Sequence, residues 1–483
     1  MTTPAPDALD RLDASRVAAH GTALRLLSYA ASLLVSVLAI RLLTTHLGTG
    51  FGTYTVVSTI AFVAVGSADA GLSTLGLREG ANVTRSDRLD LLANLLGLRI
   101  VLCSAGIVVA VLFTALTGRA STIVFGVAVV GAGITIAMLQ QAVALHLQLD
   151  LRNAIVAGLE LVKAVALTAT YAVFVYFGAG LRTFYFAPAI AGIALVVATT
   201  LVVPLRLFRP RFNRAAWGRM LRAVLPYAFA AAVALLYFRV TQITMAYVAT
   251  AEQTNEYALA FRIVEVLSVI PGLVASTALP LIARSRSAGQ ERLRPLASAL
   301  AQTALLAGLG LATTTAAAAP IAIRVIGGAP DSPSITVLRV LAVALAFTFP
   351  LAIWSFLLLT VGQVRALSIG GAVAAVTALG VAVALIPPFG ANGGAVATVV
   401  AEALLACTLL IALARFDRGL VPPAGRFARP IAAALPAAAI ILFTRHAGAL
   451  VPLTAIPAFA IAAVVLRAVP PELWDIVRMR RAS

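Results

Sequence analysis

Arg239, Arg41, Arg99, Arg262, Arg25 and Lys163 stand within long apolar runs of this sequence, where a charge is costly and usually functional. Arginine stays ionised and presents a planar fork of donors, which suits it to phosphate oxygens. Arg239 lies about nine residues, or roughly 13 Å by helical rise, from the far end of its run, too deep for comfortable snorkelling. Arg99 is comparably deep and has no partner close in sequence. Arg262 and Glu265 are three apart, as are Glu160 and Lys163, so each pair can neutralise itself along one helix face or serve a cavity. Arg25 and Arg41 lie nearer the ends of their run, where interfacial anchoring competes with a cavity role. Asp69 and Glu402 are acids in apolar surroundings, fit either as proton- or sodium-coupling groups or as counter-ions; Glu160 and Glu265 join that set.

The surroundings of these charges fix the class of molecule. Hydrophobic residues make up 61% of the 483 and charged ones 11%, yet the formal net charge is +18. Lys163 is the only lysine among the 36 basic residues. A mean hydropathy of +1.02 excludes an ordinary soluble domain and fits a bundle of membrane spans. A nucleic-acid binder would gather its charge on a solvated face, and no water-soluble segment here is long enough to fold as one. Cys103 and Cys407 make no metal or disulfide framework, and His20, His46, His146 and His446 form no ligand spacing. There is no P-loop, no Gly-x-Ser-x-Gly elbow and no zinc set, so neither enzyme chemistry nor a bound metal or other cofactor is expected.

A span needs roughly 20 mainly apolar residues to cross about 30 Å of hydrocarbon, and it must be helical because lipid offers no partner to bare peptide groups. The hydropathy pattern predicts an all-α polytopic protein of about fourteen spans, near 22–44, 51–76, 90–116, 121–146, 154–177, 184–205, 222–248, 257–282, 296–319, 335–360, 365–386, 391–414, 428–446 and 449–468. Arginines crowd every second gap, as at Arg78, Arg85 and Arg88, at Arg206 to Arg219, at Arg284 to Arg294 and at Arg415 to Arg429. The intervening gaps hold single arginines (Arg119, Arg182, Arg324, Arg445). Positive-inside bias then places both termini in the cytosol of a plasma-membrane protein. The expected organisation is a cytosolic segment (1–20), an N-lobe of six spans (21–205), a basic cytosolic linker (206–221), a C-lobe of six spans (222–415), two further spans (416–469) and a cytosolic tail (470–483). The start of the chain reads as a retained helix and not as a signal peptide.

The two lobes repeat one another. Ser28-Tyr29-Ala30 opens span one and Pro226-Tyr227-Ala228 opens span seven, and twelve residues beyond each tyrosine stands Arg41 or Arg239. A short turn and Tyr54 or Tyr257 follow, and the next span closes at Leu75-Gly76-Leu77 or Leu279-Pro280-Leu281. An offset of six spans is a parallel repeat, the kind that builds transporters from two lobes around a central path.

Arg41 to Gly48, Phe51-Gly52-Thr53-Tyr54, Asp69 with Gly71-Leu72, and Arg78-Glu79 resemble the opening of the Wzx-type oligosaccharide flippases. These belong to the multidrug/oligosaccharidyl-lipid/polysaccharide (MOP) exporter superfamily. The resemblance continues through Leu225-Pro226, Tyr257 to Arg262, Ala319-Pro320, Gly362-Gln363 and Ile386 to Ala395, in order over nearly the whole chain. Many relatives resemble Arg-x-Asp at the end of span seven, whereas here Arg239-Val240 precedes Thr241-Gln242. The resemblance implies translocation of a polyprenyl-diphosphate-linked oligosaccharide from inner to outer leaflet by alternating access of two lobes, for cell-surface polysaccharide biosynthesis. Arg239, Arg41, Arg99, Arg262, Lys163 and Arg25 would then attract the diphosphate. A lipid II flippase and a cation-coupled multidrug exporter of the same superfamily are the alternatives. The expected partners are the lipid-linked substrate, membrane lipids and a polymerase or glycosyltransferase complex, with no nucleic acid. Energy would come from a proton or sodium ion or from the membrane potential.

Overall fold

The computed structural model describes residues 31–469 apart from 33, 70, 82, 151, 288, 330, 331 and 445–449. Every regular element among them is helical. The helices are α1 (Leu34–Leu47), α2 (Gly50–Asp69), α3 (Leu72–Gly80), α4 (Arg85–Leu116), α5 (Ser121–Leu149), α6 (Asn153–Tyr176), α7 (Leu181–Phe184) and α8 (Ala187–Thr200). They continue as α9 (Arg214–Val248), α10 (Ala251–Leu267), α11 (Val269–Ser287), α12 (Gln290–Val325), α13 (Ser334–Thr360), α14 (Val364–Phe416), α15 (Ala424–Phe443) and α16 (Leu450–Val465). Eleven stretches are long and apolar enough to cross a membrane by length and composition, with shorter apolar helices at Leu34–Leu47 and Val451–Val465. One of the eleven, α14, is two spans joined by a reversal, and with the two shorter helices the count reaches the fourteen expected.

That reversal is built by Ile386 to Gly394. Pro387 and Pro388 each lack the amide that would continue the ladder, and Gly390 adopts φ 55° and ψ −131°, open to glycine at little cost. The chain doubles back so closely that a Cβ on Gly393 would stand 2.1 Å from the Leu385 carbonyl oxygen. Elsewhere the breaks are softer. Span two is α2 followed by α3, and span eight is α10 followed by α11 with Ser268 between them. The predicted linker 206–221 is a single 3-10 turn, Leu205–Phe208, an irregular stretch over 209–213 and then the first turns of α9. Asn213 starts that helix by accepting from the Ala215 and Ala216 amides at 3.0 and 3.2 Å, as a short polar N-terminal cap does.

The chain divides into two compact units, residues 1–48 with 57–232 and residues 49–56 with 233–483, so the division falls within α9. In the first unit α5 lies against α4 and α8, and α6 against α8. Its core joins Val143, Leu147 and Leu159 to Leu195 and Val203. In the second unit α13 is central, lined by α10, α11, α12 and α14, and its Leu338, Leu341, Leu345 and Leu357 are fully buried. On α14, Ala374, Ala378 and Ala382 are buried four apart, a row of small side chains that lets helices approach where lipid supplies no hydrophobic drive between them. Gly52 N–H donates to Asn255 Oδ1 at 3.0 Å, which groups the first turns of α2 with α10. At the arginine-rich end, Arg294 donates from Nε and a terminal nitrogen to both Asp417 carboxylate oxygens at 3.0 Å. That guanidinium, helped by the Gly419 amide, holds the Asp417 carboxyl below its ordinary value.

Candidate cation cluster and its buried counterpart

Among the described residues each unit carries an arginine–carboxylate cluster, buried in the first and partly buried in the second. In the first unit Arg99 projects from α4 and is fully buried. It pairs with Asp69 at the end of α2 through Nε and, at 3.1 Å, through a terminal nitrogen. The same terminal nitrogen reaches Ser73 Oγ on α3 at 2.5 Å, and the other donates to the Met138 carbonyl on α5 at 2.9 Å. One side chain thus ties four helices. Asp69 is 8% exposed, and the pair carries no surplus charge. Asp69 is ion-paired with Arg99, and Arg99 offers no accessible surface to a ligand in this conformation.

In the second unit two arginines meet at one carboxylate. Arg239 on α9 donates to Glu265 Oε1 on α10, and Arg262, one turn before Glu265, donates to its Oε2 at 2.6 Å. The side chains of Arg239 and Glu265 are 12% and 17% exposed, whereas Arg262 is 38% exposed. α10 is fixed at its start by a capping box between Thr250 and Gln253, which sets the register that brings Arg262 and Glu265 onto one face. Aromatic rings wall the cluster. The Arg239 guanidinium lies 5.6 Å from the Phe238 ring centroid and 5.9 Å from that of Phe261, within reach of the negative ring faces. Tyr257 stacks on Phe261 at 5.5 Å and its hydroxyl meets Thr398 Oγ1 at 2.9 Å.

The missing acid after Arg239 is replaced in two parts. Gln242 accepts from Arg239 at 3.3 Å as a neutral neighbour, and the negative charge comes from Glu265 on the next helix. Adjacency to the arginines was the only sequence mark of Phe238 and Phe261. Tyr237 carried none: its hydroxyl lies in interaction range of Glu402, a carboxylate 6% exposed beside an apolar cluster of Val240, Ala378 and Ala401.

Lys163, Glu160 and Arg41 belong to the first unit. Lys163 and Glu160 form a 3.4 Å pair with both side chains more than a third exposed. Arg41 is exposed on α1, where its carbonyl accepts from the Thr44 and Thr45 hydroxyls at 3.1 and 2.7 Å. Arg41 and Arg239 therefore occupy matching sequence positions with unlike surroundings. Arg25 lies outside the described residues. Among the described residues no three His, Cys, Asp or Glu side chains gather as metal ligands. His46 instead meets the Ala179 carbonyl at 2.8 Å.

No protein-family model matches the sequence, and no curated protein matches it. Solved structures do. A structure of the lipid II flippase MurJ in an inward closed conformation superposes with a TM-score of 0.73 at 11% identity, over 94% of this chain and 99% of that one. An inward-facing multidrug-resistance MATE transporter of the MOP superfamily gives 0.63 at 15% identity, over 82% and 98%. A MOP-superfamily transporter from Pyrococcus furiosus, described as having a binding pocket of reversed polarity, gives 0.55 at 15% identity, over 82% and 94%. All three are transporters and none is an enzyme. The chain is a multi-pass membrane protein with the fold of the MOP-superfamily transporters.

Proposed function

We propose that the protein is a flippase that carries a polyprenyl-diphosphate-linked oligosaccharide from the inner to the outer leaflet of the plasma membrane, for cell-surface polysaccharide biosynthesis. The observation that carries this reading is the convergence of two guanidiniums, Arg239 and Arg262, on the single carboxylate of Glu265 within an apolar unit. Glu265 orients Arg239, and Arg262 is the more exposed of the two forks that would meet diphosphate oxygens. A site for organic cations would instead gather acids. The membrane potential favours outward movement of an anion from a negative interior by about 2.3 kcal/mol per charge per 100 mV. Glu402, beside Tyr237, is the carboxylate on which proton or sodium coupling would act.

The likeness to MurJ, which extends over nearly the whole of both chains, favours a second reading in which the lipid-linked substrate is lipid II. Reconstitution separates the two. Purified protein in proteoliposomes would be given either a fluorescent polyprenyl-diphosphate oligosaccharide or fluorescent lipid II, with dithionite reporting exposure. The first reading expects transfer of the oligosaccharide carrier, and transfer of lipid II alone would replace it with the second. Arg262→Gln is expected to slow transfer at least about tenfold, the worth of one lost charge-assisted contact, because Glu265 keeps Arg239 and the fold survives. An unchanged rate in a folded Arg262→Gln protein would remove the cluster from the substrate path.

A further inference from the structure

The stretch from Leu205 to Arg222 holds Arg206, Arg209, Arg211, Arg214, Arg219 and Arg222 and no acid. All six are exposed. Nearby carboxylates are already engaged: Asp90 pairs with Arg211 at 2.5 Å, Asp150 with Arg88 at 3.0 Å, and Asp87 accepts from the Thr84 hydroxyl at 2.6 Å. Among the described residues no carboxylate lies in ion-pair range of the other five arginines. Their charge therefore faces outward, uncompensated by the protein around them.

The segment is strapped down. The Arg211 amide donates to the Ala93 carbonyl at 2.9 Å, and Trp217 Nε1 donates to the Asn94 carbonyl at 3.0 Å. A Cβ on Gly97 would stand 2.2 Å from the Arg211 carbonyl oxygen, so only glycine lets the strap lie this close to α4. Leu207 is buried with Leu147 and Leu195, and Met220 and Val224 with Leu72 and Leu98. Held in this way, the strap still turns bulky apolar groups outward beside its arginines: Leu205 is 69% exposed, Phe212 62% and Leu225 67%. A strap facing only water would gain by burying these. Cations interleaved with outward apolar side chains suit the boundary between acyl chains and headgroups.

We propose that residues 205–225 form a fixed binding surface for acidic phospholipids. The guanidiniums take headgroup phosphate oxygens, and Phe212, Leu205 and Leu225 sit among the acyl chains. Rigidity distinguishes this surface from a diffuse basic loop, because the arginines need not be ordered when the lipid arrives. The proposal rests on the strap alone and does not depend on which substrate is flipped.

Trp217 reports on the strap, its ring centroid lying 5.7 Å from that of Phe212. A Trp354→Phe, Trp474→Phe protein in phosphatidylcholine vesicles would be quenched with brominated phosphatidylglycerol or with brominated phosphatidylcholine. The expected result is an association constant about fivefold or more higher for the acidic lipid, falling with salt. Arg206→Gln, Arg209→Gln, Arg214→Gln in the same chain should abolish the preference while leaving quenching by phosphatidylcholine unchanged. Mass spectrometry of phosphatidylglycerol retained by the fully tryptophan-bearing protein after detergent exchange provides a second reading, with retention lost in the triple variant. Equal quenching by the two lipids, with equal retention in both proteins, overturns the proposal. So does a preference that appears only once Asp7, Asp10 and Asp13 are replaced by Asn, since the chain's own acids would then be what the strap binds.

Discussion

Arg99 is buried and Arg239 partly buried, each held by a carboxylate, but the number of cations per acid differs. Arg99 and Asp69 balance, and every direction from the guanidinium ends on protein. Such a pair is strongly destabilised by losing one partner and tolerant of losing both. Asp69→Asn is therefore expected to lower stability by about 3–5 kcal/mol, read as thermal unfolding in detergent. Asp69→Leu with Arg99→Met should recover most of that loss. An Asp69→Asn protein as stable as the parent would show that Ser73 and the Met138 carbonyl suffice to hold Arg99. Around Arg239 the single carboxylate serves two guanidiniums, of which Arg262 is the more exposed. Residue type and depth were legible in the sequence, because arginine inside an apolar run is conspicuous. Partners across helices were not: Asp69 and Arg99 are thirty positions apart, and Arg239 and Glu265 twenty-six. Spacing along one helix finds only neighbours three or four apart.

At the scale of elements, the turn at Ile386–Gly394 decides whether α14 is one rod or two spans. Gly393→Ala would drive a methyl group into the Leu385 carbonyl, opening the reversal at a cost of about 1–3 kcal/mol. Gly380→Ala, on the same helix with nothing within 4 Å of the added carbon, should be neutral or slightly stabilising. Thermal unfolding of the two variants, compared side by side, checks the turn. Equal stability would mean that the reversal yields without strain. The Pro-Pro-x-Gly run marked this turn in the sequence, and the span boundaries there agree to within a few residues. The linker was harder to read. Basic, poorly hydrophobic residues from 206 to 221 carry no period that distinguishes a loose connection from a strap, and what fixes the strap is backbone hydrogen bonding to α4.

For the whole molecule, the count of spans follows from composition, whereas their direction follows from where arginine collects. Cysteines placed at exposed positions in a background lacking Cys103 and Cys407 test that direction. Ala120→Cys and Ala329→Cys are expected to react with an impermeant maleimide in intact cells. Ser287→Cys and Ala424→Cys should react only after permeabilisation. The reverse pattern would invert the protein and, with it, the direction in which the membrane potential favours an anion. The fold was legible because fourteen apolar runs and a six-span repeat leave few arrangements. Substrate identity was not, because the MurJ and MATE structures share this architecture while what a transporter binds depends on a handful of side chains.

The bond between Asp69 and Arg99 also has a history in time. During synthesis Asp69 is joined to the growing chain thirty residues before Arg99, a lag of roughly 1.5–6 s at about 5–20 residues per second. Until then its helix holds an acid that costs about 2.5–3.5 kcal/mol at mid-span during insertion. Pairing with Arg99 relieves that penalty once α4 arrives, which favours insertion of spans two and three as a pair.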